Sequence, residues 1–282
     1  MKRFLSRVLP LLLSFGLILN CTGCSTVLVL AGKARENSEA SSSVISESSA
    51  SSGVISTPVP TEDGDLRAFY TDVANAESVT VMVYMIGSDL ESEDGSATDD
   101  LLEMADAALS ENVHLVLQTG GTETWWNDVC TDDESERFVI ENGDMTLLQS
   151  LGSMNMTDAD TLSDFIRFSA ESYPADRYEL ILWDHGGGTM TGFGYDELYE
   201  DTSLTLSSLS TALYNGGVQF DFIGFDACLM ATAEVAYALD PYADYLIASE
   251  ESEPGEGWAY DAGGRPRRTH GGARQKAGGR FP

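Results

Sequence analysis

The chain has 282 residues, of which 43% are hydrophobic and 9% aromatic, enough to bury a sizeable core in one large domain or two small ones. Its 46 acidic residues against 15 basic ones give a net charge of −31. This excess argues against nucleic acid or an anionic membrane surface as a partner of the folded part, because both need clustered lysine and arginine. Four cysteines are too few for a disulfide-stapled scaffold.

The basic residues are concentrated at the two ends of the chain. Five lie before residue 36 and six after residue 262, whereas the middle holds four arginines, no lysine and all 46 acidic residues, a net charge of −42. Three interpretations stay open: a solvated acidic surface, an acidic field that attracts cationic peptides, and removal of basic residues from a chain exposed to proteases that cut after them.

Residues 1–24 have the pattern of an export signal. A basic start at 1–7 precedes a short apolar run at 8–19, which is too short for a comfortable membrane span. The Thr-Gly-Cys that ends at Cys24 resembles a bacterial lipobox, with Cys21 where leucine is preferred. We expect export to the bacterial cell surface, lipidation of Cys24 and membrane contact through that lipid only; cleavage by an ordinary signal peptidase, and hence secretion, is the alternative.

Residues 25–70 are expected to be a flexible linker. From about Asn37 to Asp65 the chain is rich in Ser, Ala, Glu and Pro and has no periodic apolar face. The following residues, 71–262, are expected to form one α/β domain.

Apolar runs typical of buried strands alternate with helical patterns from Val79 to Ala248. The predicted strands are Val79–Ile86, Val113–Leu117, Tyr178–Trp183, Val218–Phe225 and Tyr245–Ala248, with a hairpin at Phe138–Ile140 and Met145–Leu148. The predicted helices are Ala97–Leu109, Thr157–Tyr173 with Thr157 as its cap, Leu204–Tyr214 and Met230–Leu239. This alternation predicts a mostly parallel sheet flanked by helices on both faces.

A histidine and a cysteine follow two of these strands. His185 and three glycines come after the third, and Cys228 comes after the fourth. Because parallel strands end at the same edge of a sheet, the two side chains are expected to meet there. A thiol needs a base to become a nucleophile, and histidine is suited to that role near neutrality. The alternatives are a small core residue for Cys228 and a packed or capping residue for His185.

The remaining candidates are weaker. His114 lies within a predicted strand and is expected to be structural, and Cys130 is expected to be a free or buried thiol. No zinc-type spacing and no phosphate-binding glycine loop is present, so no metal ligand set is predicted.

Four blocks in order, VMVYMIGSDLES, LILWDHGGG, FDFIGFDACLM and IASEESEPGEGW, resemble the clostripain-like cysteine peptidases, relatives of the caspase, gingipain and legumain group. The resemblance covers roughly Val79 to Tyr260 and implies a caspase-like fold and cleavage after arginine or lysine. It implies a catalytic dyad of His185 and Cys228, and a substrate-binding role for Asp226, whose carboxylate suits a guanidinium. A cap or turn residue is the alternative for Asp226. Glu250 and Glu251 are expected to add weakly to an acidic rim.

The expected mechanism is acyl transfer through a thioester, with backbone N–H groups of Gly186 and Cys228 stabilising the oxyanion. No cofactor is expected, although some relatives use calcium and the acidic run from Asp89 to Gly95 would attract it without matching an EF-hand. The expected partners are peptides or proteins with Arg or Lys at the cleavage site. A non-catalytic peptide-binding surface lipoprotein that keeps the fold, and a sensing domain with an unused thiol, are the alternative functions.

Two features depart from the family. No Lys or Arg lies between Gly186 and Ala227, where relatives often cut themselves to mature. Residues 263–282 change to a basic, glycine-rich sequence without acidic residues. The tail predicts a truncated or frame-shifted reading or a cloning remnant, with the last part of the peptidase domain missing; a disordered basic tail is the alternative.

Overall fold

The computed structural model describes residues 27–31, 77–199, 202–255 and 257–260. The predicted export signal, the lipidation site Cys24, most of the predicted linker and the basic tail lie outside these residues. Among the described residues, none of the helices has both the length and the apolar character that crossing a bilayer requires.

One mixed sheet forms the centre of the described part. Its strands are β1 (Val27–Ala31), β2 (Val79–Ile86), β3 (Val113–Gly120), β4 (Ser135–Glu141), β5 (Asp144–Gly152), β6 (Arg177–Trp183), β7 (Phe220–Asp226) and β8 (Ala243–Ser249). They lie in the order β1-β8-β7-β6-β2-β3-β4-β5. The central strands β8, β7, β6, β2 and β3 are parallel, and β1, β4 and β5 pair antiparallel at the two edges. The predicted mostly parallel sheet is confirmed.

Helices connect the strands and cover both faces of this sheet. They are α1 (Ser88–Ser92), α2 (Ser96–Asp106), α3 (Ala159–Ser172), α4 (Gly188–Thr191), α5 (Leu206–Gly216) and α6 (Ala233–Leu239). Alternate residues of β2 point into two apolar clusters, one containing Met82 and Tyr84 and the other Val83 and Met85. Helices α3, α5 and α6 contribute to the first cluster and α2 to the second. The central strands of the sheet are therefore covered on both sides, as their continuous apolar runs require.

Local signals fix the ends of several elements. Asn142 and Gly143 join β4 to β5 with φ of 54° and 88°, the left-handed pair that a tight hairpin needs. Helix α3 begins after Asp158, whose side chain accepts from the Asp160 N–H, so the prediction of Thr157 as the cap was wrong. The Thr157 hydroxyl instead donates to Asn155, which leaves the cap to the next residue.

Strand β1 lies inside the range assigned to the linker. Its five residues pair antiparallel with β8, Val27 opposite Ser249 and Ala31 opposite Tyr245. The strand completes the edge of the sheet next to β8, which would otherwise present unpaired N–H and C=O groups.

Candidate active site

Two neighbouring strand ends bring His185 and Cys228 to one edge of the sheet. Strands β6 and β7 are parallel, with Trp183 opposite Asp226, so the residues that follow each strand emerge side by side. At Gly186 an added Cβ would lie 2.1 Å from the Cys228 carbonyl oxygen, so only glycine permits this approach of the two segments. Both His185 and Cys228 line one pocket of about 220 Å³.

His185 is held from outside the pocket by a carboxylate. Its Nε2 lies 2.7 Å from Oδ1 of Asp89, which belongs to the short helix after β2. A carboxylate can only accept a hydrogen bond, so the hydrogen of this contact lies on Nε2, which donates a hydrogen bond to Asp89. The other ring nitrogen, Nδ1, then has a lone pair that can take a proton.

The sulfur of Cys228 receives a backbone hydrogen bond. The Glu253 N–H donates to Sγ at a distance of 3.3 Å. A donor in this position stabilises negative charge on sulfur.

Leu229, the next residue, has φ of 63°, a left-handed conformation that is strained for a residue with a Cβ. Hydrogen bonds from Leu229 N–H to Glu251 C=O and from Ala231 N–H to Ser249 C=O hold this turn against the end of β8.

The two N–H groups expected to stabilise an oxyanion belong to Cys228, which lines the pocket, and to Gly186, which packs against the Cys228 carbonyl but is not among the lining residues. Within the described part of the chain, neither the Gly186 N–H nor the Cys228 N–H donates to a backbone carbonyl outside the regular helices and strands. Such donors near a nucleophile can stabilise a developing oxyanion.

The floor of the pocket is acidic. Asp226 is 5% exposed, and its Oδ2 accepts from the Trp258 N–H at 3.0 Å and from the Tyr260 hydroxyl at 2.8 Å. Glu253 also lines the pocket, and its buried Oε2 accepts no hydrogen bond from the described residues. Burial and then the charge of Asp226 raise the pKa of the Glu253 carboxyl from 4.5 to about 7. Two carboxyl groups therefore face the same space, and Glu253 exchanges its proton near neutral pH.

The acidic rim differs in detail from the expectation. Glu250 and Glu251 are both exposed and are not among the residues that line the pocket, whereas Glu253 is. Glu253 belongs to the fourth sequence block, but the spacing of its residues alone did not predict that its carboxyl lines the pocket.

The acidic run from Asp89 to Gly95 makes internal contacts. Glu91 is fully buried and accepts from the Thr98 N–H at 2.8 Å, from the Thr98 hydroxyl at 2.6 Å and from the Trp126 N–H at 2.6 Å. The Asp89 side chain contacts the His185 imidazole, which lies outside this run. Among the residues that the structure describes, no three His, Cys, Asp or Glu side chains form a group that could hold a metal ion.

The other candidate residues lie elsewhere. Cys130 is buried in the apolar cluster with Leu101 and Phe138, and burial raises the pKa of its thiol far above the usual value, which makes it unreactive. His114 lies on β3 with Nδ1 3.7 Å from Glu141.

Comparisons with known proteins agree on one family. The sequence profile of the Clostripain family matches residues 83–274. Clostripain from Hathewaya histolytica is 36% identical over an alignment of 124 residues, and the match covers 38% of this chain and 24% of that protein. A secreted C11 cysteine protease from Bacteroides thetaiotaomicron, solved with an irreversible peptide inhibitor, is 28% identical and superimposes with a TM-score of 0.56 over 65% of this chain and 51% of its own.

An inactive zymogen of a C11 protease from Parabacteroides distasonis, also 28% identical, superimposes with a TM-score of 0.53 over 66% of this chain and 52% of its own. The chain thus spans about half the length of these two solved relatives and about a quarter of clostripain. The profile match extends over more than half of the chain, and the mixed sheet with helices on both faces matches the fold of the C11 protease. The chain belongs to the clostripain family and has its caspase-like α/β fold.

Proposed function

We propose that this protein is an exported cysteine endopeptidase that cleaves peptide bonds after arginine or lysine. The observation that carries the proposal is the shared pocket of His185 and Cys228, in which the sulfur accepts an N–H and the imidazole is fixed by a carboxylate. These are the parts that an activated thiol nucleophile needs: a base, an orienting partner for the base, and stabilisation of the thiolate.

The reaction follows from these positions. His185 takes the thiol proton, and Sγ of Cys228 attacks the carbonyl carbon while the N–H groups of Gly186 and Cys228 stabilise the oxyanion. The imidazolium then gives the proton to the leaving amine as the C–N bond breaks, which leaves a thioester. Water, deprotonated by His185, attacks the thioester and releases the new carboxyl terminus together with the thiol.

The acidic pocket supports the preference for a basic side chain. Asp226 and Glu253 both line it, and among the described residues that line it His185 is the only basic one. A guanidinium or ammonium entering this space gains charge-assisted hydrogen bonds and satisfies the buried Oε2 of Glu253. An apolar side chain would leave the buried Oε2 of Glu253 without a partner.

Hydrolysis of fluorogenic peptides tests the activity. The full chain is expected to cleave a peptide ending in arginine before the reporter at least 100-fold faster than one ending in citrulline, which has the same shape without the charge. Cys228→Ala is expected to abolish turnover, and Asp226→Asn to reduce the preference for arginine.

Three results decide between the alternatives. Turnover that survives in Cys228→Ala would exclude this sulfur as the nucleophile. A folded wild type that binds the arginine peptide without cleaving it would instead support the non-catalytic peptide-binding protein. An Asp226→Asn variant that keeps the full arginine preference would contradict the role of the acidic pocket.

We also propose that the protein is anchored to the cell surface through a lipid on Cys24, because the basic and apolar segments before it end in a lipobox-like sequence. One acylated cysteine after cleavage gives an anchored and not a spanning protein. Mass spectrometry of the mature N-terminus is expected to find Cys24 as the first residue with a diacylglycerol modification. An unmodified start at another residue would contradict the anchor.

A further inference from the structure

Asp89 contacts the imidazole of His185 although no sequence motif assigned it that place. Its Oδ1 lies 2.7 Å from Nε2, and the two side chains are 45% and 44% exposed. We infer that Asp89 is a positioning residue that holds His185 in the tautomer with the proton on Nε2, so that Nδ1 is the base toward Cys228. The inference rests on the proposed peptidase function and adds a third member to the proposed dyad.

The backbone that carries Asp89 is fixed from several sides. Ser88, the residue before it, has φ of 47° and is fully buried. Its N–H donates to the Gly121 carbonyl at 3.1 Å, and its carbonyl accepts from the Thr122 hydroxyl at 3.0 Å. A left-handed conformation in a residue with a Cβ persists only where surrounding contacts hold it, and such strain concentrates at functional sites.

A second connection joins this segment to the histidine itself. The Ser88 hydroxyl donates to Oδ1 of Asp184 at 2.7 Å, and Asp184 directly precedes His185. The other oxygen of Asp184 accepts from the Tyr195 N–H. The turn after β2 and the turn after β6 are therefore tied together one residue away from the contact between Asp89 and His185. The hydrogen bond from Ser88 to Asp184, together with the backbone contacts of Ser88, sets the distance between the Asp89 carboxylate and the His185 ring.

The alternative roles of Asp89 fit the structure less well. A hydrogen bond between two half-exposed side chains contributes little to stability, so a purely structural role would have a small effect. A calcium role would need neighbouring ligands, but the Glu91 carboxyl is turned inward to Thr98 and Trp126. Fixing one tautomer of a catalytic histidine, in contrast, acts directly on the proton transfer.

Kinetics on the full chain test the inference. Asp89→Ala is expected to lower kcat/KM for the arginine peptide by about 10- to 100-fold, mostly in kcat, with little change in KM, because the substrate pocket is untouched. Asp89→Asn, whose amide oxygen can still accept from Nε2, is expected to lie between Asp89→Ala and wild type. Asp94→Asn, the same change at an exposed residue of the same acidic run, is expected to equal wild type.

A spectroscopic readout separates positioning from general damage. Two-bond ¹H–¹⁵N spectra of the imidazole, assigned by comparison with His185→Gln, are expected to show the Nε2-protonated form in wild type and a mixture of tautomers in Asp89→Ala. The melting temperature of Asp89→Ala is expected to stay within about 3 °C of wild type.

The outcomes of this test and of the proposed function are distinguishable. If wild type is active and Asp89→Ala retains kcat within twofold, the inference is overturned while the peptidase stands. If wild type is inactive, the peptidase fails, and an unchanged tautomer in Asp89→Ala overturns the inference as well. If Asp89→Ala does not fold, Asp89→Asn gives the same comparison.

Discussion

At the scale of single residues, Glu253 connects the two halves of the candidate site. Its N–H donates to Sγ of Cys228, and its side chain faces Asp226 in the pocket. Trp258 donates through Nε1 to the Glu253 carboxyl at 3.4 Å and through its N–H to Asp226 at 3.0 Å. The Tyr260 hydroxyl also donates to Asp226, and burial raises the pKa of Tyr260 well above its usual value, so that it remains a donor.

The raised pKa of Glu253 predicts a pH-dependent affinity for basic substrates. Below pH 7 the carboxyl pair holds a proton, and above pH 7 it carries a second negative charge. A guanidinium binds better to the doubly charged pair, so KM for the arginine peptide is expected to fall as pH rises from 6 to 8. In Glu253→Gln the backbone donor to sulfur remains but the second charge is lost. KM is then expected to rise about tenfold at pH 8 and to lose its pH dependence, since a hydrogen bond to a charged group contributes about 1.5 kcal/mol, which corresponds to a factor of about ten.

KM reports the binding of the basic side chain, whereas proton transfer by His185 affects kcat. Glu250→Gln, which removes an exposed carboxylate three residues away, serves as the control and is expected to keep the wild-type pH profile. A Glu253→Gln variant with an unchanged slope of KM against pH would show that this carboxyl does not contact the substrate.

The sequence pointed to some of these residues and not to others for a physical reason. His185 and Cys228 each follow a buried strand, and the geometry of parallel strands predicts where such residues meet. Asp89 also follows a strand, but it lies among other acidic residues, so the pattern suggested a solvated or calcium-binding run. Its orientation depends on the left-handed Ser88 and on contacts with Asp184 and Gly121, which are distant in sequence.

At the scale of elements, the strands with continuous apolar runs were predicted well. Strand β2 has the predicted bounds, and the predicted strands that became β3, β6, β7 and β8 begin or end within three residues of the observed ones. Strands β2, β3, β6 and β7 are mostly buried or half-buried, so their local sequence carries the signal. The antiparallel hairpin was found through Asn142 and Gly143, whose residue types fix the turn.

The elements that were missed lack such a local signal. Helices α1 and α4 have five and four residues, too few to show a helical period. Strand β1 depends on a partner more than 200 residues away along the chain, and its neighbours in sequence are typical of a linker. Long-range pairing at a sheet edge is determined by the completed sheet and not by the five residues themselves.

At the scale of the whole molecule, each of the three arginines of the acidic middle that the structure describes contacts other residues of the domain. Arg137 is 2% exposed, donates to Asp164 at 2.7 Å and lies 4.4 Å from the centre of the Phe168 ring. Arg167 donates to the Asn215 carbonyl within the same region, and Arg177 pairs with Asp221. These three lie in regular helix or strand, where a protease cannot easily bind an extended backbone.

The buried carboxyls give the folded protein an unusual dependence on pH. Burial raises the pKa of both Glu91 and Asp184 to about 7, from 4.5 and 3.8. Between these usual values and pH 7 the folded state retains protons that the unfolded chain has released. The unfolding free energy is therefore highest at mildly acidic pH and falls as pH rises through about 5 to 7. Asp164, whose pKa is lowered by Arg137, acts in the opposite direction only at lower pH.

Removing one of these buried carboxyls changes the slope of the unfolding free energy against pH by a predictable amount. In Glu91→Gln the titrating group is lost, so the fall of the unfolding free energy between pH 5 and 7 is expected to become shallower by up to about 1.4 kcal/mol per pH unit. The absolute stability also decreases, because one of the oxygens that accept from Thr98 and Trp126 is replaced by an amide nitrogen. Urea unfolding at pH 5, 6 and 7 measures both effects. About 0.5 M NaCl in every sample screens the repulsion among the many surface carboxylates. Glu93→Gln, an exposed neighbour, is the control and is expected to keep the wild-type slope. Equal slopes in wild type and Glu91→Gln would mean that Glu91 is ionised throughout this range and that its three donors outweigh its burial.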